Sequence, residues 1–186
     1  GLDHWRPQEL LQLPDAALED LLRQVHRWEH EGRWPAALRQ VRVALLPKAK
    51  ATIGLLPYLY RAWMVARKDQ TEGWARTLHG GRCRGATELA LDLRVQQEVA
   101  TARGSTMFAV LLDCSECYER VVHDLAARRA VDTGAPAQII RLAIDTYRAD
   151  RRVSAHGAIS DPSPVNNGLV AGCGFAVHIL KAYLSP

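Results

Sequence analysis

The sequence predicts an α+β chain, helix-rich with a small sheet. Two kinds of observation carry that class. Apolar residues recur at i, i+3, i+4, i+7 over several long segments, which is the period of a helix face. Strict alternation and short continuous apolar runs are confined to a few brief stretches, which suits a handful of strands. The 186 residues are 48% apolar and 24% charged, an ordinary globular composition that excludes disorder, collagen-like structure and a disulfide mini-scaffold. A chain of this length buries well over half of its unfolded surface.

In chain order, Pro14-Asp15 opens a helix with Leu18, Leu21, Leu22, Val25 and Trp28 apolar, and Gly32 ends it. Val41, Val43 and Leu45 alternate with Arg42 and Ala44, a strand pattern. Ile53 to Leu56 is its expected hairpin partner across Lys48–Lys50. Pro57 starts a helix running through Trp63 to about Lys68. Gly80-Gly81 marks a loop. Ala86 to Arg103 reads as a helix with Leu89, Leu93 and Val99 inward and Gly104 as its stop. Met107 to Leu112 is six apolar residues ending in Asp113, the pattern of a buried central strand. Helices follow at Val121–Val131, stopped by Gly134, and at Pro136–Tyr147. Arg152–Ala155 is a short strand, Ser160–Gly168 a loop rich in Pro and Asn, and Ala171–Leu184 a final helix.

Charge is unevenly placed. Lys plus Arg is 24 and Asp plus Glu 20, a net of +4. Between Arg33 and Lys68 stand Arg33, Arg39, Arg42, Lys48, Lys50, Arg61, Arg67 and Lys68 with no acid among them. That segment is therefore +8 and the remainder −4, a local excess of the kind an anion-binding surface needs. No apolar leader follows a basic start, and no uncharged run is long enough to cross a membrane. Cys83, Cys114, Cys117 and Cys173 in this composition point to reduced thiols inside a cell, in nucleus or cytoplasm. Cys114 and Cys117 have CxxC spacing, but no second pair or His pair completes a zinc site. A thiol oxidoreductase is the reading that spacing alone would offer. Gly1 in place of Met, and an apolar helix pattern still open at Leu184-Ser185-Pro186, predict a portion of a longer reading frame.

Asp113 is the residue most suggestive of chemistry. A carboxylate at the end of a buried strand is held firmly yet reachable by solvent, and hard divalent cations take such oxygens while keeping positions open for phosphates. On spacing alone a helix cap is the better reading. The surrounding run, Phe108-Ala109-Val110-Leu111-Leu112-Asp113-Cys114-Ser115-Glu116-Cys117-Tyr118-Glu119, resembles the first palm motif of reverse transcriptases of the non-long-terminal-repeat and group II intron type. There a hydrophobic strand ends in a catalytic Asp, and an aromatic-acidic pair follows five residues later. Further likenesses occur in the family's order. Gly1-Leu2-Asp3-His4-Trp5 is similar to an element upstream of the fingers, with His4 where Gly is usual. Val43-Ala44-Leu45-Leu46-Pro47-Lys48 is similar to a fingers strand ending in Pro-Lys. Ile53-Gly54-Leu55-Leu56 resembles the tail of the next one, whose Arg-Pro is here Ala51-Thr52. Gly81-Arg82 through Thr87 to Leu91, with Glu88 at the acidic position, resembles a further element. Asn167-Gly168-Leu169-Val170-Ala171-Gly172-Cys173 is similar to the motif that places template and nucleotide, with Ala171 where Gln is usual.

The resemblance implies a partial right-hand polymerase: residues 1–106 fingers-like with an upstream helix, residues 107–186 an incomplete palm. It implies an RNA-directed DNA polymerase acting with Mg²⁺ or Mn²⁺ on an RNA template, a DNA primer and deoxynucleoside triphosphates. Asp113 would be the catalytic metal ligand and the backbone carbonyl of Cys114 a second. Tyr118 would lie under the sugar and leave no room for a 2′-hydroxyl. Lys48 and Lys50 would meet phosphates, Gly172 would help place the nucleotide, and Arg61 and Arg67 would touch the template backbone. The family's aromatic-x-Asp-Asp hairpin has no counterpart, since no Asp-Asp pair occurs in the chain. This polypeptide alone is therefore not expected to polymerise. The alternative is a degenerate relic that binds nucleic acid without catalysis.

Overall fold

Four strands and eight α-helices are seen in the computed structural model, which describes residues 2–46, 51–78, 86–108, 115–170 and 172–185. The helix-rich α+β class holds, with one small mixed sheet.

The N-terminal part is helical. A short α1 (Pro7–Leu11) begins on proline, and Glu9 accepts the Arg6 N–H at 2.7 Å. In α2 (Asp15–Glu31), Val25 and Trp28 pack on the core as their spacing predicts, but Leu22 is 58% exposed. One 3₁₀ turn (Ala36–Leu38) leads into β1 (Gln40–Leu46), and β2 (Ala51–Leu55) returns antiparallel, Val43 facing Gly54. The expected hairpin is present.

Two helices follow where one was expected. The helix on Pro57 is α3 (Tyr58–Ala66), and α4 (Lys68–Ala75) starts anew after a break at Arg67. Next come α5 (Ala86–Ala102), α6 (His123–Asp132) and α7 (Ala137–Tyr147). Most α7 side chains from Ile139 to Tyr147 are buried, with Arg141 and Asp145, four apart, left as its polar edge. Then β3 (Asp150–Ala155) pairs parallel with β1, Val41 beside Arg151, and β4 (Ala158–Ile159) adds an antiparallel edge. The sheet order is β2-β1-β3-β4. Parallel neighbours require a long crossover, and here it contains α3 to α7. The sheet thus takes strands from both sides of residue 106.

The last helix, α8 (Ala176–Leu184), starts five residues later than its apolar pattern indicates. Gly172 has φ +91°, and a side chain on Gly174 would stand 3.2 Å from the Met64 sulfur, so residues 172–175 serve as a packed turn. Around that turn sits an aromatic cluster. Trp34 and Trp63 meet edge-on at 5.5 Å, Trp63 and Phe175 at 5.4 Å, and Tyr60 closes on both tryptophans. Such pairs add to the area they bury.

One expectation fails, and another fails over the two of its residues that are described. The α5 stripe is not inward: Leu93 and Val99 are 39% and 42% exposed and Leu91 and Val95 more so, while the Leu89 side chain lies outside the described residues. Residues 91, 93 and 95 are two apart, so they spread around a helix and cannot form one face. Phe108 is 87% exposed, and neither it nor Met107 lies in a strand; residues 109–112 lie outside the described residues. Among the described residues no helix is long and apolar enough to cross a membrane.

Candidate functional site

The most informative site is a cleft of about 150 Å³ on one face of the sheet. Parallel and antiparallel register place Val41 and Val43 of β1, Gly54 of β2 and Arg151 of β3 on that face. The segment Asn167–Val170 forms the opposite wall, and Glu119 stands at the rim.

Local chemistry fixes the wall. The Gly168 N–H donates to the Val121 carbonyl and the Leu169 N–H to the Tyr118 carbonyl, both at 2.8 Å. Val122 and Asn167 form an antiparallel bridge. Gly168 has φ +93°, and a Cβ there would lie 3.2 Å from the Glu119 carbonyl oxygen. Glycine is therefore required for conformation and for space. Below, the buried His123 ring donates from Nε2 to the Gly168 carbonyl at 2.7 Å. Burial lowers its pKa, and the Arg148 and Arg151 charges push the same way, against the Gly168 bond and the Asp124 charge.

Arg151 is the unusual charge. Nη2 donates to the Tyr147 carbonyl at 2.9 Å, at the C-terminal end of α7 where the helix dipole favours a cation. Nη1 is buried and has no hydrogen-bond partner. Burial pushes the pKa down to about 10, which leaves the group protonated at neutral pH.

The sequence-predicted residues distribute as follows. Tyr118 packs half-buried against the core, and its carbonyl holds the cleft wall. Gly172 lies beyond the wall, where a Cβ would be 3.9 Å from the Gly54 carbonyl oxygen. The Tyr118 turn, the glycine segment and β2 are thus brought to one place. Lys48, Lys50, Asp113 and Cys114 lie outside the described residues. Arg61 is exposed on α3 and does not line the cleft. Arg67 is committed elsewhere: Nε and Nη2 both donate to Glu29 at 2.6 Å, and the same carboxylate accepts Trp63 Nε1–H at 2.7 Å. Its guanidinium thus ties α3 to α2 inside the fold, and the template-contact role expected of it meets an already occupied side chain.

Among the described residues no group of three His, Cys, Asp or Glu side chains is placed to hold a metal ion. Glu119 is the sole described carboxylate on the cleft, and hard cations require several oxygens. The described residues of the cleft therefore do not by themselves supply such a set. Sequence reasoning missed Arg151 and His123. The alternation along Asp150-Arg151-Arg152-Val153 holds a signal for Arg151, because every second residue faces the same way, but only the pairing with β1 says which way is inward.

Comparison with known protein families finds no match, and comparison with curated proteins finds no relative.

Proposed function

We propose that this chain is the fingers and early palm of an RNA-directed DNA polymerase of the reverse transcriptase kind. The observation that carries the reading is convergence. Three segments far apart in sequence that carry the resemblance (the Tyr118 turn, Gly168–Gly172, and β2, which resembles a fingers strand) have described residues in or beside one cleft. At about 150 Å³ the cleft is below the ~300–1,000 Å³ that encloses a small molecule. It is one wall of a site.

In this reading a primer 3′-hydroxyl attacks the α-phosphate of a deoxynucleotide and pyrophosphate leaves. Asp113 and the Cys114 carbonyl would hold Mg²⁺, which when bound neutralises charge on the phosphates. Tyr118 bounds the sugar at C2′. Lys48 and Lys50 give point charges to the triphosphate, without the fork an arginine at position 51 would offer. Ala51, Thr52 and Ala171 favour the second reading, a relic that retains nucleic-acid binding alone.

The test is primer extension on an RNA template with Mg²⁺, using this chain and a longer product of the same reading frame. Extension by the longer product, abolished by Asp113→Asn, supports the enzyme. Binding without extension by either supports the relic. If neither binds an RNA–DNA hybrid at low salt, both readings fall. Binding should weaken with salt at a log–log slope of about −0.7 to −0.9 per phosphate neutralised, and Lys48→Ala with Lys50→Ala should flatten that slope.

A further inference from the structure

We propose that Arg151 is an anion-binding residue and that the cleft above it takes a single phosphate group. A buried guanidinium nitrogen without a hydrogen-bond partner, as at Arg151 Nη1, is rare. Buried arginines are paired, because an uncompensated charge out of water is costly. Arg151 has no carboxylate partner among the described residues, and of its guanidinium donors only Nη2–H has an acceptor. Its main chain is already used, N–H and C=O both bonded to Ser163 at 2.9 Å. The side chain is therefore held in place by the end of α7, with no carboxylate against it and Nη1 unpartnered.

The surroundings fit a phosphate. A planar fork matches two oxygens of that anion. Gly54 and Gly168 line the cleft together with Arg151 and put no side chain into it. Asn167 at the rim brings amide donors. Glu119, also at the rim, is the opposing charge; it is exposed and can turn to water. At about 150 Å³ the cleft has room for several waters. That accommodates a phosphoryl group and leaves sugar and base outside. The bearer of the phosphate is a nucleotide or a polynucleotide backbone, and only this choice of bearer rests on the polymerase reading.

The experiment compares the unaltered chain with Arg151→Gln and Arg151→Lys, each checked for a cooperative thermal transition. Inorganic phosphate at constant ionic strength should raise the melting temperature of the unaltered chain. Arg151→Gln should bind phosphate about tenfold more weakly or worse, the loss expected for a charge-assisted pair. Arg151→Lys, which keeps charge and loses the fork, should fall between, and it serves alone if the Gln variant does not fold. Competition identifies the bearer: displacement by a deoxynucleoside triphosphate without metal marks a nucleotide, and displacement only by a single-stranded oligodeoxynucleotide marks a backbone. No response of the unaltered chain to phosphate, or an equal response in all three proteins, overturns the site. Oligonucleotide binding that survives Arg151→Gln unchanged removes Arg151 and leaves the polymerase reading standing.

Discussion

Removing the Glu29 carboxylate should be among the most damaging single changes in the chain. Glu29 is 8% exposed on the last turn of α2 and receives three N–H donors, one from Trp63 and two from Arg67. Burial alone would raise its pKa, but the bonds from Arg67 and Trp63 outweigh burial and hold it below the ordinary 4.5. Glu29→Ala leaves an indole N–H unpaired inside the aromatic cluster and a guanidinium without its anion. Breaking a buried pair costs ~3–5 kcal/mol. The Arg67 side chain keeps 24% exposure, so water partly screens it and the low end applies, about 3 kcal/mol. Glu29→Gln keeps an acceptor for Trp63 and loses the charge, so about 1.5 kcal/mol is expected. Urea unfolding reads both as midpoint shifts at constant slope; with a slope of ~2 kcal/mol/M these are about 1.5 M and 0.7 M. Adding Arg67→Met to Glu29→Ala should recover part of the loss, since removing both partners is milder than stranding one. The pH dependence has a definite sign. A lowered carboxylate pKa gives stability that is present above the unfolded value and lost as pH falls through the folded value. Glu29→Ala should remove that acid-side decline. A loss below about 0.5 kcal/mol, the range of ordinary surface changes, would mean that the Glu29 carboxylate does not hold α2 to Trp63 and Arg67.

Other outcomes follow from the cleft and its supports. His123 and His178 both have pKa values lowered chiefly by burial, so below the ordinary 6.5 the unfolded chain binds more protons than the native one. Stability should therefore fall as pH drops below about 6.5, and His123→Gln should flatten the fall seen by urea midpoint; an unchanged slope would remove His123 as a contributor. Gly168→Ala combines φ +93° with a 3.2 Å approach to the Glu119 carbonyl and should cost about 2–3 kcal/mol. Gly73→Ala, inside α4 with nothing within 4 Å of the new methyl, should instead stabilise by about 0.5–1 kcal/mol. Thermal unfolding of the two side by side checks the pair, and the same sign for both would contradict the local geometry.

Elements whose signal is local were legible in the sequence. The α2 stripe, the proline starts of α3 and α7, and the alternation of β1 depend on neighbours a few residues away. What was not legible depends on partners far off. The parallel pairing of β1 with β3 joins residues about a hundred positions apart, and without it the inward turn of Arg151 is invisible. The Glu29–Arg67 pair has the same cause: each residue reads as surface charge on its own helix, and only the packing of α2 on α3 makes them one group. The over-reading of α5 is different in kind. Its apolar count is high, but its spacing is not that of a single face.

Basic charge at the sheet is likewise a matter of register. Arg42 and Arg152 stand directly opposite on β1 and β3, on the face away from the cleft. Neutral groups hold them: Arg42 Nε donates to Ser154 Oγ at 2.9 Å, and Arg152 donates to Gln40 Oε1 and the Ser160 carbonyl at 3.2 and 3.3 Å. Asp150 lies on the same face and makes no ion pair with either among the described residues. Like charges placed opposite each other on neighbouring strands cost stability, and a fold keeps such an arrangement most readily where function uses it. If a phosphate backbone crosses this face, Arg42→Gln should stabilise the free chain by about 0.5 kcal/mol. The same change should reduce the salt slope of single-strand binding by about 0.7. Stability and binding would then move in opposite directions. A loss of stability with an unchanged salt slope would instead make the Arg42–Ser154 bond the reason for the residue, and the positive face an accident of packing.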